Sequence, residues 1–285
     1  MRVIDAHTHI LPRSMIDARA EYLARERWFG LLHASPRARL ASADDLIDSM
    51  DAAEIDASVA FGFAFADPEL CRLCNDYVLD AAAQWPGRIL PLAVVNPYDG
   101  AQAVREAQRS LEAGAVGIGE LMPEGQGYTL DDPCMADLMV LAATSDVPVM
   151  VHVNELVGHT YPGKGAIGPQ DAYALACRYP RTRFIFSHWG GGLPFYELMP
   201  SARQDLANVY YDTAASLFLY DDRIFCEASR WAPDKILFGT DYPLIGQRRF
   251  LRRVQQVGLA PDQLERVLSG NLLRALGDTV RGGDA

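Results

Sequence analysis

Eight short apolar runs, spaced along nearly the whole chain, constrain its fold more than any other feature. They read VIDAH (3–7), ASVAFGF (57–63), RILPLAVVN (88–96), AVGIGEL (115–121), VPVMVHV (147–153), TRFIFSH (182–188), NVYYDTA (208–214) and KILFGTD (235–241). Most are continuous rather than alternating in polarity, the pattern of parallel strands buried on both faces. The stretches between them carry helical periodicity, as in ADDLIDSMDAAEI before the second run, AQAVREAQRSLEAG before the fourth and DPCMADLMVLAATSD before the fifth. Ser42 stands where an N-cap belongs, two residues ahead of an acidic pair, and Gly114 stands where a helix-terminating glycine belongs. Eight such units in 285 residues predict an α/β fold, the (β/α)8 TIM barrel, whose usual length is about 250 residues. An open, doubly wound sheet is the structural alternative. One domain over residues 1–280 is expected, followed by a disordered tail, RGGDA, at 281–285.

Charge and cysteine content exclude several classes of function. With 37 acidic against 26 basic side chains the net charge is -11, which repels phosphate backbones and anionic lipid surfaces. Neither nucleic acid nor a membrane is an expected partner; a small-molecule substrate is. No run of about 18 apolar residues occurs and nothing resembles a signal peptide, so a cytoplasmic protein is expected. Five cysteines do not suggest a disulfide framework. Cys71 and Cys74 form a CxxC, but within a helical pattern and without a second pair, so they read as two thiols on one helical face.

Two connections are long: residues 11–40 after the first strand, rich in arginine, and NELVGHTYPGKGAIGP (154–169) after the fifth. Both follow strand C-termini, the end of a barrel where active sites sit. Residues i and i+2 of a strand share a face, so His7 and His9 should project together near that mouth. Alone, a His-x-His is as well explained by hydrogen-bonded core histidines. Four further residues change the balance. Glu120, His152, His188 and Asp241 fall at or near the ends of the fourth, fifth, sixth and eighth strands. Each lies in an apolar run, where an unpaired polar group costs several kcal/mol. A shared metal centre accounts for all six residues at once. Asp212, near the end of the seventh strand, is placed to orient a ligand histidine. Asp5 reads as supporting or structural, and His33 as structural or exposed. The glycines of SHWGGG (187–192) fit either a tight turn or an anion-binding turn. No Gly-x-Ser-x-Gly elbow is present, which disfavours serine catalysis.

DAHTH, GIGEL, MVHVNE, FSHWGG, FGTDYP and the closing GNLLRAL resemble the amidohydrolase superfamily, in the amidohydrolase-related branch that includes metal-dependent decarboxylases of the aminocarboxymuconate semialdehyde type. The likeness runs through nearly the whole chain. It implies that His7, His9 and Asp241 hold one metal ion, that His152 and His188 hold a second, and that Glu120 bridges the two. Asp241 would also take a proton from the attacking water and pass it to the leaving group. Zinc suits these imidazole and carboxylate ligands, with manganese or iron as alternatives. The decarboxylases of the branch use one metal and keep the sixth-strand histidine free as acid/base, without a bridging carboxylate. Glu120 therefore favours a two-metal hydrolase acting on an amide, lactone or ester. A mononuclear decarboxylase or hydratase, with His188 as acid/base, is the alternative. A metal-free binding protein is a third.

Substrate clues are fewer. Arg13, Arg37 and Arg39 in the first long connection, with Tyr161 and Lys164 in YPGKG, are candidates to hold a substrate carboxylate. His159 is a candidate for substrate contact. Solvated surface charge is the plain alternative for all of them. Whether the chain forms a homodimer is left open.

Overall fold

Helix starts illustrate how closely the local signals are realised. In the helix Ala43–Ala53, Ser42 Oγ accepts from the Asp45 amide at 3.3 Å and the Asp45 carboxylate accepts from the Ser42 amide at 2.9 Å, a reciprocal capping box. The helix Ala101–Glu112 ends just before Gly114, whose φ of +109° suits a residue without Cβ. Such helices alternate with eight strands, β1 (Ile4–His9), β2 (Ala57–Phe61), β3 (Ile89–Ala93), β4 (Gly117–Leu121), β5 (Pro148–Val151), β6 (Arg183–Phe186), β7 (Val209–Asp212) and β8 (Ile236–Leu237). The computed structural model describes residues 1–277, so the tail expected at 281–285 lies outside the described residues.

All neighbouring strands pair in parallel in the order β1 to β8. The register sets Ile4 beside Ala57, Val151 beside Phe186 and Asp212 beside Leu237. The circle closes where residues after β8 meet β1. Thr8 bridges to Tyr242, the Ala6 amide donates to Phe238 O at 2.7 Å, and the Asp241 amide donates to His7 O at 3.0 Å. The chain is thus a (β/α)8 TIM barrel. Alternate residues of one strand enter different apolar clusters. Met150, Ile185 and Leu237 pack with Val59 and Leu92, whereas Val149, Phe184 and Val209 pack with helix residues such as Leu138 and Leu175. Burial on both faces is why the runs lack alternation.

The connection 11–40 is not irregular; it winds into three short helices, Arg13–Asp17, Arg19–Arg25 and Arg27–His33. Phe29 anchors the third against Phe63 and Phe65, with ring centroids 5.2 and 5.3 Å away. Arg19 secures its end, Nη1 donating to Ala38 O at 2.8 Å and Nη2 to Ser35 O at 2.9 Å. Cys71 and Cys74 are buried on one face of the helix Pro68–Gln84 and are free thiols, as their spacing suggests. No helix among the described residues is long and apolar enough to cross a membrane.

Candidate metal centre and its cavity

Each strand delivers its functional side chain through a local departure from ideal geometry. In β1 the register shifts between Asp5 and Thr8, and His7 and His9 come together with Nε2 atoms 3.2 Å apart. In β4, Gly119 has φ +121°, and a Cβ there would overlap the Met150 carbonyl oxygen. Only glycine lets β4 approach β5 this closely, which carries Glu120 up to His152. After β6 the chain makes a left-handed turn, with positive φ from His188 to Gly192. A Cβ on Gly191 would overlap the Asn154 carbonyl oxygen, so this turn packs directly on the segment following β5. SHWGGG is therefore a tight turn that aims His188. Asp241, φ +62°, sits in a similar bend beyond the two-residue β8.

All six residues singled out as ligands meet at one place. Glu120 Oε2 lies 3.8 and 3.9 Å from the Nε2 atoms of His7 and His9, while its Oε1 lies 3.3 Å from His152 Nδ1 and 3.7 Å from His188 Nε2. Asp241 Oδ1 is 3.6 Å from His7 Nε2 and 3.4 Å from His9 Nε2. Three overlapping triads keep their donor atoms within 4.8 Å of one another: His7, His9 and Glu120; His7, His188 and Asp241; Glu120, His152 and His188.

The hydrogen bonds behind the ligands decide what the centre can hold. His7 Nδ1 donates to Asp212 Oδ2 at 2.8 Å, His9 Nδ1 to Gly62 O at 2.9 Å, and His188 Nδ1 to Ala214 O at 3.2 Å. In its neutral form each of these rings would carry its proton on Nδ1, which leaves the Nε2 lone pair free for a metal ion. His152 presents Nδ1 instead, 3.3 Å from Glu120 Oε1 and 3.1 Å from His188 Nε2, with its Nε2 3.4 Å from Asn154 Oδ1. Two pairs of ring nitrogens thus face each other across gaps that a shared proton or a shared metal ion bridges. A separation near 3.2 Å is also what two nitrogens reach on one ion at about 2.0–2.1 Å. The carboxylates around His7 and His152 favour positive charge there, carried by protons or by a metal ion. Burial works to lower the His7 pKa, but Asp212, Glu120 and Asp241 outweigh it and push it up to about 10. Burial works to raise Asp241, and the His9 hydrogen bond with the charges of His7 and His188 holds it at about 2. Glu120 is likewise held well below the usual carboxylate range against burial, chiefly by His7 and His152. The donor set fits one or two divalent ions.

Asp212 is the support common to both halves, since its Oδ1 also accepts the His188 and Ala214 amides at 3.0 Å each. Asp5 has a different task. It accepts from the Thr240 hydroxyl at 2.6 Å, the Thr240 amide at 2.9 Å and Gln247 Nε2 at 2.8 Å, latching β1 to the segment after β8. Burial raises its pKa to about 6 against those bonds.

Above the centre opens a cavity of about 460 Å³. Its walls are largely apolar, including Leu11, Phe29, Phe63, Met122, Phe218 and Leu244. The substrate candidates divide. Tyr161 lines the cavity, but Arg13, His159 and Lys164 do not. Arg13 is exposed beside Asp17 and Asp45, and Lys164 donates to Val157 O and His159 O at 3.1 Å each, tying up its own loop. The arginine that does reach the cavity is Arg39, exposed at its rim and without an ion pair or hydrogen bond among the described residues. His33, read as structural or exposed, also lines it. Nothing in the spacing of the loop signals which of its basic residues turn inward; that depends on how its three helices fold.

The Amidohydrolase family model matches residues 4–277. The chain belongs to the amidohydrolase family. It is 24% identical, over an alignment 330 positions long, to the 2-amino-3-carboxymuconate-6-semialdehyde decarboxylase of Dictyostelium discoideum, covering 96% of this chain and 91% of that protein. The 5-carboxyvanillate decarboxylase of Sphingomonas paucimobilis superposes with a TM-score of 0.80 at 18% identity, covering 96% of this chain and 98% of that one. The 5-carboxyvanillate decarboxylase of Novosphingobium aromaticivorans, solved with manganese and 4-hydroxy-3-methoxy-5-nitrobenzoic acid, superposes with a TM-score of 0.77 at 18% identity, covering 96% of each chain. These structural likenesses bear on the fold.

Proposed function

We propose that this chain is a metal-dependent decarboxylase that removes CO2, without an oxidant, from a small aromatic or unsaturated carboxylic acid. The observation that carries the reading is the cavity: a floor of imidazole and carboxylate donors, apolar walls, and one unpaired arginine, Arg39, at the rim. Its volume of about 460 Å³ suits a single-ring substrate. The decarboxylase relatives support this chemistry over the hydrolysis that Glu120 suggested from sequence, and the manganese in one of them broadens the expected metal beyond zinc.

His7, His9, His152 and Asp241 would hold the ion, which when bound supplies Lewis acidity toward a substrate oxygen. The apolar walls disfavour a carboxylate relative to neutral CO2, so leaving is easier there than in water. As the C–C bond breaks, its electron pair stays on the substrate carbon, and that carbon takes a proton. His188 would make the transfer as an imidazolium: Ala214 O holds its Nδ1–H, and Nε2, on a ring that lines the cavity, takes a proton from solvent and gives it to the carbon. The proton is replaced from solvent, and the balance is RCOO⁻ + H⁺ → RH + CO2.

Hydrolysis at a two-ion centre is the second reading, favoured by one observation: Glu120 spans both histidine pairs and, among the described residues, makes no ion pair with a lysine or arginine. Metal analysis and product analysis separate the two. Decarboxylation predicts one tight metal equivalent, CO2 release from aromatic or dienoic acids, and a His188→Ala variant that keeps its metal but releases no CO2. Two equivalents in the wild type, one in Glu120→Ala, and turnover of amides, lactones or esters instead would overturn it.

A further inference from the structure

His33 is not one of the candidate ligands and supplies one of the few polar groups in the largely apolar cavity wall. It ends the helix Arg27–His33, and its ring is clamped by Phe29, centroids 4.4 Å apart, and by Phe63 edge-on at 5.6 Å. Its Nδ1 donates to Phe29 O at 3.0 Å, which fixes the tautomer and leaves Nε2 as a pure acceptor. Nε2 has no hydrogen-bond partner among the described residues and is not a sealed polar atom, on a residue that lines the cavity. Burial keeps the ring neutral, with its pKa lowered to about 4. An oriented, neutral acceptor in an otherwise apolar wall is a receptor for a hydrogen-bond donor.

We infer that His33 Nε2 accepts a hydrogen bond from a hydroxyl or amino group on the substrate, selecting acids that carry such a donor over those that do not. The inference rests on the reading above that a carboxylic acid occupies this cavity. His33 is a specificity-determining residue: it meets the substrate away from the reacting carboxylate, and a hydroxyl hydrogen bond there is worth about a tenfold preference.

The test uses the full-length, manganese-loaded protein and binding by titration calorimetry, with benzoate and the three monohydroxybenzoates as probes. At least one hydroxybenzoate should bind about tenfold more tightly than benzoate. His33→Phe, which keeps the packed ring but not the acceptor, should abolish that preference while leaving benzoate affinity and metal content unchanged. His33→Gln, which restores an acceptor oxygen, should recover part of it. A preference that survives in His33→Phe, or no hydroxybenzoate preferred by the wild type, would overturn the inference. Loss of the decarboxylase reading alone looks different: no CO2 is released, yet the binding preference and its dependence on His33 remain.

Discussion

Replacing Asp212 by asparagine tests how the candidate centre is held. Asp212 is fully buried, and its oxygens take three hydrogen bonds, from His7 Nδ1 at 2.8 Å and from the His188 and Ala214 amides at 3.0 Å each. Asparagine fills the same volume and keeps one oxygen, which the two amides hold in place. Its NH2 then faces His7 Nδ1 and donates where the carboxylate accepted. His7 must answer with a bare Nδ1, which moves its proton to Nε2, the atom that faces His9 and Asp241. A protonated Nε2 is no ligand. Removing a partner of this kind costs about 10- to 100-fold in metal affinity, or roughly 1.4–2.7 kcal/mol. Losing a negative charge beside a divalent ion pushes the same way. Competition with a chromophoric chelator for manganese or zinc measures the change, with circular dichroism confirming that the variant folds. Unchanged affinity in a folded Asp212→Asn would refute the view that this carboxylate sets the His7 tautomer.

Three further outcomes are expected. Metal supplied at about 100 times its dissociation constant should add roughly 2.7 kcal/mol of stability; for a chain of this size chelation should then lower Tm by about 5–10 °C, and a Tm indifferent to chelator would contradict the cation-shaped gaps between the imidazoles. Lys235→Met should destabilise by about 3–5 kcal/mol in urea titrations, because Lys235 Nζ pairs with the buried Glu197 at 2.6 Å and that carboxylate makes no other ion pair among the described residues. Gly119→Ala should cost at least about 2 kcal/mol and lower metal affinity together, since φ is +121° and the added Cβ meets the Met150 carbonyl; a Tm within experimental error of wild type would count against that contact.

Seven of the eight strands lie inside the apolar runs that predict them, and β1 runs two residues further, to His9. They are readable because burial on both faces leaves an uninterrupted apolar signature. Strand ends are less so. The run KILFGTD suggests seven extended residues, yet β8 has only two, because the chain bends to bring Asp241 round in a left-handed conformation. The ligands were visible as chemistry at strand tips, since little else explains a histidine or glutamate in such sequence. The substrate wall was not. Arg13 and Arg39 look alike in sequence, and only the winding of three short helices leaves one paired on the surface and the other at the cavity. His33 shows no pattern in the sequence, for its place at the cavity depends on how the same helices wind.

The seam between β1 and the segment after β8 has a consequence for biosynthesis. Because β8 is so short, closure rests on Asp5 with Thr240 and Gln247, and on the backbone bonds joining residues 6–9 to 238–242. The first two imidazoles and the last carboxylate of the candidate centre belong to opposite sides of that seam. At about 5–20 residues per second a ribosome needs roughly 10–50 s to travel from one to the other. Throughout that interval the growing polypeptide carries an incomplete set of donors. Completion of the donor set therefore waits until the last strand has docked on the first, so the full set of six candidate ligands exists only in a chain whose barrel has closed.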